Sequence, residues 1–190
     1  MSAKAEPGKV TAKASAKSGP YNTVSWNKVS GASGYRIYRK VKGQNWKCIK
    51  EVKSTVLSYK DSGIQGITTY AYAVRAYRTV SGKKILGGYK ASSYIQSYPL
   101  KQKISKICKT SSGLKIYWNT QKKASGYQIY RKTKNSSWKK IKTISNGKTA
   151  SFEDRTAKKG TTYYYAVRAG AKTSTGKTVY GSYTAKTAKR

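Results

Sequence analysis

The chain contains a long internal repeat, and the length of this repeat limits the folds that the chain can adopt. Trp26 recurs as Trp118, and the segment 34–40 (GYRIYRK) recurs as 126–132 (GYQIYRK), so equivalent residues lie 92 positions apart. Solenoid repeats of about 20–50 residues cannot bury a core alone, whereas a repeat of about 90 residues matches one small β-sandwich, which can. We therefore expect two complete domains in tandem. The expected boundaries are residues 7–98 and 99–190, preceded by a leader or added residues at 1–6.

Within each repeat, apolar and aromatic residues alternate in short runs that end at Gly, Ser, Lys and Asn. Such alternation is typical of β-strands joined by hairpin turns. The pattern predicts an all-β fold with seven strands in each repeat. In the first repeat the predicted strands are 9–16, 21–28, 34–41, 45–53, 56–61, 68–79 and 84–97. In the second they are 101–109, 113–119, 126–133, 138–144, 149–154, 161–173 and 178–188.

The alternation also predicts which side chains form the core. Ile37 and Val74 are the apolar choices of the third and sixth strands, so their faces should point inward. Trp26 and Trp118, on the second strands, are the expected core centres because a buried indole covers a large apolar area.

Two further tryptophans, Trp46 and Trp138, begin the fourth strands. Trp46 is followed at steps of three by Ile49 and Val52, and Trp138 by a similar series. This spacing predicts a twisted edge strand that covers the sandwich.

These motifs occur in a recognisable order. A Trp on the second strand, Gly-Tyr-x-Ile-Tyr-Arg-Lys, Trp-Lys-x-Ile, Tyr/Phe-x-Asp and Tyr-x-Tyr-Ala-Val-Arg-Ala together resemble the fibronectin type III domain. In particular, they resemble the Lys- and Tyr-rich kind found in tandem in Gram-positive bacterial surface and secreted proteins. The resemblance implies two seven-stranded immunoglobulin-like sandwiches that act as spacers and binding modules. It also implies that the hydroxyls of Tyr70 and Tyr163 bond to backbone upstream, as in a tyrosine corner.

The charge of the chain indicates an anionic partner. The sequence has 41 Lys and Arg against 5 Asp and Glu, a formal net charge of +36. Residues 1–98 contain 18 basic and 3 acidic side chains, and residues 99–190 contain 23 and 2, so the surplus belongs to both domains. A magnitude of about 2–8 is usually enough for solubility. Such a field attracts polyanions: nucleic acid, anionic lipid surfaces and anionic cell-wall polymers such as teichoic acids are all candidates.

Composition argues against an enzyme. Histidine is absent, which removes the commonest general base and most transition-metal ligand sets. Glu153 and Asp154 are adjacent in a predicted strand and point to opposite faces, so they cannot form a facing carboxylate pair. We interpret Asp61 and Asp154 as aspartates at strand ends that bond nearby backbone N–H groups. We expect no catalytic residues, no metal site and no cofactor.

The third and sixth strands should be neighbours, and their outward faces are the predicted binding surface. In the first domain this surface comprises Arg36, Tyr38, Lys40, Arg75 and Tyr77. In the second it comprises Tyr130, Lys132, Tyr164 and Arg168, together with Gln128. Aromatic rings and cations in this arrangement can stack on sugars or bases and neutralise phosphates. The same side chains can instead simply cover one another as cross-strand pairs.

Three functions remain open. The first is a non-catalytic tandem module of an exported bacterial protein, in the cell wall or at the cell surface, that spaces other domains and binds anionic wall polymer. The alternatives are a nucleic-acid-binding basic protein and a structural subunit of a surface or virion assembly. The N-terminus lacks the apolar stretch of a signal peptide, so export would make this chain a fragment of a larger protein. No apolar run is long enough to span a membrane. Like-charged copies repel each other, so we expect a monomer.

The two cysteines, Cys48 and Cys108, lie at non-equivalent positions of the two repeats. A disulfide that supports the fold would recur in both repeats, so we expect free thiols.

Overall fold

The computed structural model of the chain describes residues 6–17, 19 and 21–190. Of the predicted leader, only Glu6 lies within the described residues. The strands form two compact units. Unit 1 contains β1 (Val10–Ala16), β2 (Asn22–Trp26), β3 (Gly34–Val41), β4 (Lys47–Lys53), β5 (Ser58–Asp61), β6 (Thr69–Val80), β7 (Lys83–Leu86), β8 (Tyr89–Lys90) and β9 (Ile95–Gln96). Unit 2 contains β10 (Gln102–Lys109), β11 (Leu114–Trp118), β12 (Gly126–Lys132), β13 (Lys139–Ile144), β14 (Ser151–Asp154), β15 (Thr162–Lys172), β16 (Thr178–Tyr180), β17 (Tyr183–Thr184) and β18 (Lys186–Lys189).

Each unit is a sandwich of two sheets. In unit 1 one sheet has the order β5-β2-β1-β8, and the other has the order β4-β3-β6-β7 with β9 paired to β6. Unit 2 repeats this arrangement as β14-β11-β10-β17 and β13-β12-β15-β16, with β18 paired to β15. The prediction of two tandem seven-stranded sandwiches is confirmed. The exact domain boundary at 98/99 stays a prediction.

The seventh strand of each unit is broken into three short pieces rather than being continuous as predicted. In unit 1, Gly87 still donates to Ala76 of β6 at 2.9 Å, whereas Gly88 accepts from Val10 of β1 at 3.1 Å. The chain therefore changes sheets within this Gly-Gly pair. A Cβ at Gly87 would collide with the backbone of Pro7, so the crossing requires a residue without a side chain. Gly181 meets the backbone of Pro99 in the same way in unit 2.

The core lies between the two sheets, on the faces that alternation predicts. Tyr35 and Ile37 of β3 are fully buried, as is Val74 of β6. Trp26 is 7% exposed and Trp118 is 2% exposed, and each packs against a tyrosine of the facing sheet. Burying a large apolar side chain stabilises a fold by about 1.5–3 kcal/mol. The prediction that these tryptophans are the core centres is confirmed.

The fourth strand contains a β-bulge that changes the face to which Trp46 points. Ile37 pairs with Lys50 but Tyr38 pairs with Cys48, which leaves Ile49 as an extra residue. Ile49 and Val52 pack against the core as predicted. An extra residue reverses the alternation of everything before it, so Trp46 lies on the outer face instead. The prediction of an edge strand that covers the sandwich is confirmed for Ile49 and Val52, whereas Trp46 lies outside that face. The same bulge, at Ile141, is present in unit 2.

Each unit contains an ion pair whose carboxylate is buried. Nη1 of Arg39 donates to both carboxylate oxygens of Asp61, at 3.0 and 2.9 Å, and the hydroxyl of Tyr72 donates to Oδ2 at 2.8 Å. Asp61 also accepts from the backbone N–H of Gly63 at 3.1 Å, which confirms its interpretation as a turn aspartate. The ion pair with Arg39 was not predicted, although alternation does place Arg39 on the inward face of β3.

Unit 2 repeats this network around Asp154. Its carboxylate accepts from Arg131 at 2.7 Å, from the Tyr165 hydroxyl at 2.7 Å and from the backbone N–H of Thr156 at 3.1 Å. Burial opposes ionisation, but the hydrogen bonds from Tyr165, Thr156 and Arg131 outweigh it and lower the pKa of Asp154 below its ordinary value. The Tyr163 hydroxyl accepts from the Lys158 N–H at 3.2 Å, as the tyrosine-corner resemblance implied.

Candidate functional site

The outward faces of β3 and β6 lie side by side in unit 1. The two strands are neighbours, as predicted, and they pair in an antiparallel register in which Arg36 lies opposite Arg75 and Tyr38 opposite Ala73. Because Ala73 is small, the sheet surface at this point forms a depression of about 160 Å³. We call this depression the aromatic cradle of unit 1, and its lining residues are Tyr38, Trp46, Ala73, Arg75 and Tyr89.

Two rings set at a steep angle form the walls of the cradle. The ring centroids of Trp46 and Tyr89 are 6.2 Å apart and their planes meet at 81°. Trp46 reaches this surface because of the bulge in β4, and Tyr89 because the seventh strand crosses between sheets. Tyr89 is 40% exposed. The cradle therefore offers the face of one ring and the edge of another to solvent.

Two cations lie at the rim of the cradle. Nζ of Lys40 is 4.9 Å from the Trp46 ring centroid and 5.6 Å from that of Tyr94, so the ammonium group has a ring on two sides. Cζ of Arg75 is 6.0 Å from the Tyr89 centroid. Nε of Arg75 also donates to the Gly87 carbonyl at 2.8 Å, which fixes the plane of the guanidinium group. Neither cation at this rim is in an ion pair among the described residues.

The other two predicted residues of unit 1 lie at the opposite end of β3 and β6. Arg36 donates to Glu51 at 2.9 Å, and Glu51 also binds Lys84. Hydrogen bonds from Lys84 and Arg36 lower the pKa of Glu51 to about 2. Tyr77 is 8% exposed and lies beneath Lys84, whose Nζ is 4.7 Å from the ring centroid. The charge of Arg36 is thus partly neutralised, and Tyr77 exposes little surface.

Unit 2 brings the equivalent residues together on its own β12–β15 face, and we call this set the aromatic cradle of unit 2. Tyr130 pairs with Ala166, and the rings of Trp138 and Tyr183 are 5.7 Å apart with an interplanar angle of 74°. Nε of Arg168 donates to the Gly181 carbonyl at 3.0 Å, just as Arg75 donates to Gly87. The residues of this second cradle are Tyr130, Trp138, Ala166, Arg168 and Tyr183.

The lysine at the rim also lies between two rings in unit 2, but one of the rings comes from a different strand. Nζ of Lys132 is 5.6 Å from the Trp138 centroid and 5.5 Å from that of Tyr164. Tyr164 lies opposite Lys132 on β15, where unit 1 has Ala71 opposite Lys40. The two units thus reach the same arrangement through non-equivalent residues.

The far end of the surface differs between the units. Unit 2 has neutral or small residues where unit 1 has its charged cluster and Tyr77; the replacements are Gln128 for Arg36, Thr143 for Glu51, Gly170 for Tyr77 and Thr178 for Lys84. The ring of Tyr180 covers Gly170, so closely that a Cβ there would be 2.8 Å from its Cε1. A cavity of about 210 Å³ lies beside it.

Most carboxylates of the described residues accept hydrogen bonds from other residues of their own unit. Asp61 and Asp154 are each 2% exposed, and Glu153 accepts from Thr110 and Ser112 at 2.6 and 2.8 Å. The basic side chains in ion pairs include Arg36, Arg39, Lys84, Arg131 and Arg155, and the sequence has 41 Lys and Arg against 5 Asp and Glu. Most of the positive surplus is therefore not neutralised by carboxylates.

Aromatic rings lie next to several of the remaining cations. On the second sheets, Nζ of Lys60 is 5.2 Å from the Tyr21 centroid, and Lys115 is 5.5 Å from that of Tyr117. A ring attracts a cation without cancelling its charge. The rings thus position several of these lysines without reducing the positive charge of the units.

The described part of the chain contains no group of three or more His, Cys, Asp or Glu side chains that could hold a metal ion. It also contains no helix that is long and apolar enough to cross a membrane. Cys48 is an exposed free thiol, and Cys108 is a partly exposed one.

The two rings that form the walls of each cradle were not among the predicted site residues. A signal was present, because Trp46 recurs as Trp138 and Tyr89 recurs as Tyr183. Tyr94 was not predicted either. Unit 2 has no tyrosine at the equivalent position, so the repeat gave no signal for this residue. Periodicity alone could not place these residues together, since a bulge and a strand crossing bring them to one face.

Comparison with known proteins identifies the fold. No family model and no curated protein matches the sequence. The structure is similar to the FN1-FN3 domains of chicken CNTN1, with 16% identity over 94% of this chain and 68% of that one and a TM-score of 0.46. It is also similar to a two-domain fibronectin type III segment of chicken tenascin, with 12% identity over 98% of this chain and 100% of that one and a TM-score of 0.50. The chain therefore consists of two tandem seven-stranded sandwiches with the fibronectin type III fold.

Proposed function

We propose that the chain is a non-catalytic tandem module that binds an anionic polymer of the bacterial cell wall and spaces the domains of a larger exported protein. The polymer is of the teichoic acid class, in which phosphates repeat along the chain. The two outward faces that contain the cradles are the main contact surfaces. The module acts at the cell surface or in the cell wall.

The observation that carries this proposal is the repetition of a cationic face whose charges are not neutralised. Lys40 and Arg75 in unit 1 correspond to Lys132 and Arg168 in unit 2, and no carboxylate pairs with any of them among the described residues. Rings and backbone carbonyls position the four cations. A polymer with regularly spaced phosphates offers many equivalent contacts, and each face can bind such phosphates without a deep pocket.

The acidic side chains support a role without catalysis. Asp61 and Asp154 are buried in ion pairs, and Glu51 and Glu153 accept bonds that lower the pKa of each to about 2. These four carboxylates are committed to structure. They are poorly suited to take up a proton near neutral pH.

Binding to a matched panel at low and physiological salt tests the proposal. The panel contains cell wall bearing teichoic acid, wall stripped of that polymer, duplex DNA and a neutral polysaccharide. We expect retention on intact wall, loss on stripped wall, and weaker retention on DNA at physiological salt. Binding should weaken steeply with salt, because each neutralised phosphate releases counterions.

Two variants with equal charge separate the faces from the overall field. The face variant changes Lys40, Arg75, Lys132 and Arg168 to Gln. The control variant changes Lys13, Lys60, Lys106 and Lys115, which lie on the other sheets, to Gln. We expect the face variant to reduce the slope of log K against log salt by about 3, on the basis of about 0.7–0.9 per lost phosphate contact. The control variant should change this slope much less.

Three results would contradict the proposal. Equal, salt-sensitive binding to wall and DNA would indicate a generic basic protein, and preference for DNA would favour the nucleic-acid alternative. Equal loss in both variants would show that the field, and not the faces, holds the polymer.

A further inference from the structure

The cradles contain more than a phosphate-binding face needs. Lysine and arginine alone are sufficient to hold a polyanion. Yet Tyr89 and Tyr94, at 40% and 45% exposed, are among the large apolar side chains that the described chain leaves in solvent. Both lie at the rim or wall of the cradle. Exposed rings grouped beside a depression are typical of ligand-binding surfaces.

We propose that each aromatic cradle is a saccharide subsite that takes a sugar ring attached next to a phosphate of the polymer. The inference rests on the proposed function and makes it more specific. Trp46 and Tyr89 contact the sugar, and Lys40 and Arg75 bind the neighbouring phosphate. In unit 2, Trp138 and Tyr183 contact the sugar, while Lys132 and Arg168 bind the phosphate.

The shape of the cradle favours a sugar over a nucleobase. A base is flat on both sides and stacks best on a parallel ring or between two of them. The walls instead meet at 81° in unit 1 and 74° in unit 2. A puckered sugar can place its C–H face on one ring and its side against the other, while the tyrosine hydroxyls bond to its hydroxyl groups.

The distances also suit a sugar that carries a nearby phosphate. Nζ of Lys40 is 4.9 Å from the Trp46 centroid, and Cζ of Arg75 is 6.0 Å from that of Tyr89. A sugar ring bound in the depression would therefore have Lys40 and Arg75 at its border, where a phosphate attached to the sugar could reach them. Backbone bonds orient Arg75 and Arg168 in advance, so little ordering is needed when phosphate binds.

The difference between the units in how the lysine is held supports the same inference. Tyr94 supplies the second ring around Lys40, and Tyr164 supplies it around Lys132 from another strand. Inherited repetition alone would retain the equivalent residue. The arrangement of a lysine between two rings is present in both units although the residue that completes it has changed.

The experiment compares two polymers that differ only in sugar. These are poly(glycerol phosphate) and the same polymer glucosylated on glycerol, which have the same charge and phosphate spacing. Affinities of the full chain are measured by titration calorimetry at physiological salt. We expect the glucosylated polymer to bind about fivefold more tightly or better, because one stacked ring contributes about this much.

Paired variants test the role of the rings. Trp46→Ala with Trp138→Ala should remove the preference for the glucosylated polymer, measured as the ratio of the two affinities. Binding of the bare polymer reports separately any effect of losing the ring contacts to Lys40 and Lys132. Tyr89→Ala with Tyr183→Ala should also remove the preference and guards against misfolding, because Tyr89 is a surface residue. The control replaces Tyr21 and Tyr117, which contact lysines on the other sheets, and should keep the preference.

Each outcome decides the inference. A preference lost only in the cradle variants supports it. Equal binding of both polymers, or an equal loss for both in the cradle variants, overturns the subsite and leaves the proposed function standing. Cradle variants that weaken only DNA binding overturn it in favour of base stacking. Failure of the wild-type chain to bind either polymer overturns both the subsite and the proposed function.

Discussion

Removal of one hydroxyl group from equivalent tyrosines should destabilise the two units by different amounts. The substitutions are Tyr72→Phe in unit 1 and Tyr165→Phe in unit 2. Both hydroxyls donate to a buried carboxylate, Tyr72 to Asp61 at 2.8 Å and Tyr165 to Asp154 at 2.7 Å. Phenylalanine keeps the ring in the core. A hydrogen bond to a charged group contributes about 1.5–3 kcal/mol, which is the expected loss for Tyr165→Phe.

Tyr72 has a second partner that Tyr165 lacks. Its hydroxyl accepts from Nδ2 of Asn22 at 3.0 Å, and Asn22 is fully buried with its Oδ1 unpartnered among the described residues. Unit 2 has Leu114 at this position, opposite Asp154. Tyr72→Phe therefore also leaves the buried side-chain amide of Asn22 without its hydrogen-bond partner, at a further cost of about 1–3 kcal/mol. Adding Asn22→Leu should recover that further cost and bring unit 1 to the level of Tyr165→Phe.

Native-state hydrogen exchange with mass spectrometry measures these losses in the full chain. Peptides from β6 report the opening free energy of unit 1, and peptides from β15 report that of unit 2. Equal losses for the two Tyr→Phe substitutions would refute the reasoning. The reasoning would also be refuted if adding Asn22→Leu to Tyr72→Phe lowered the stability of unit 1 further. Such a result would show that Asn22 and Tyr72 are not coupled in the way that their hydrogen bond implies.

Three other perturbations have expected outcomes. The melting temperature of the full chain, followed by circular dichroism, should rise from low to physiological salt because +36 charges repel less when screened; an unchanged value would contradict this. Asp154 has a lowered pKa when folded, so its contribution to unit 2 is complete above about pH 4, the unfolded value, and is lost as pH falls through the folded pKa. Urea titrations should show that Asp154→Asn removes this part of the pH slope, and an identical slope in the variant would refute it. Gly170→Tyr should cost unit 2 about 1–3 kcal/mol by collision with Tyr180. Adding Tyr180→Leu should restore most of the lost stability, because unit 1 pairs Tyr77 with Leu86 at the equivalent positions. Hydrogen exchange in β15 peptides measures this recovery, and no recovery would contradict the explanation by collision.

Much of the fold could be predicted from local pattern. The third strand was predicted at 34–41 and β3 spans Gly34–Val41. Its inward residues, Tyr35 and Ile37, are fully buried. This succeeds because side chains of a strand alternate strictly between core and solvent, so a half-buried strand carries its orientation in the sequence.

The pairing of β3 with β6 was also predictable. This pairing places the five predicted surface residues of unit 1 on one face. The predicted residues do not act alike, however. Lys40 and Arg75 border the cradle, whereas Arg36 is held by Glu51 and Tyr77 is buried beneath Lys84. Alternation assigns a face but not the neighbours on that face, which depend on strands distant in sequence.

The sequence by itself determined the tandem repeat, the all-β class, the core faces and the charge, because these follow from spacing, alternation and composition. Only the tertiary structure decided where Trp46 and Tyr89 lie. One extra residue at Ile49 reverses the alternation of β4, and the Gly87–Gly88 crossing moves the seventh strand between sheets. Packing across strands also determines which tyrosine is the second ring beside the rim lysine, Tyr94 for Lys40 and Tyr164 for Lys132. Bulges, crossings and cross-strand contacts are set by long-range packing, whereas alternation is local, and so the cradles became visible only in the folded chain.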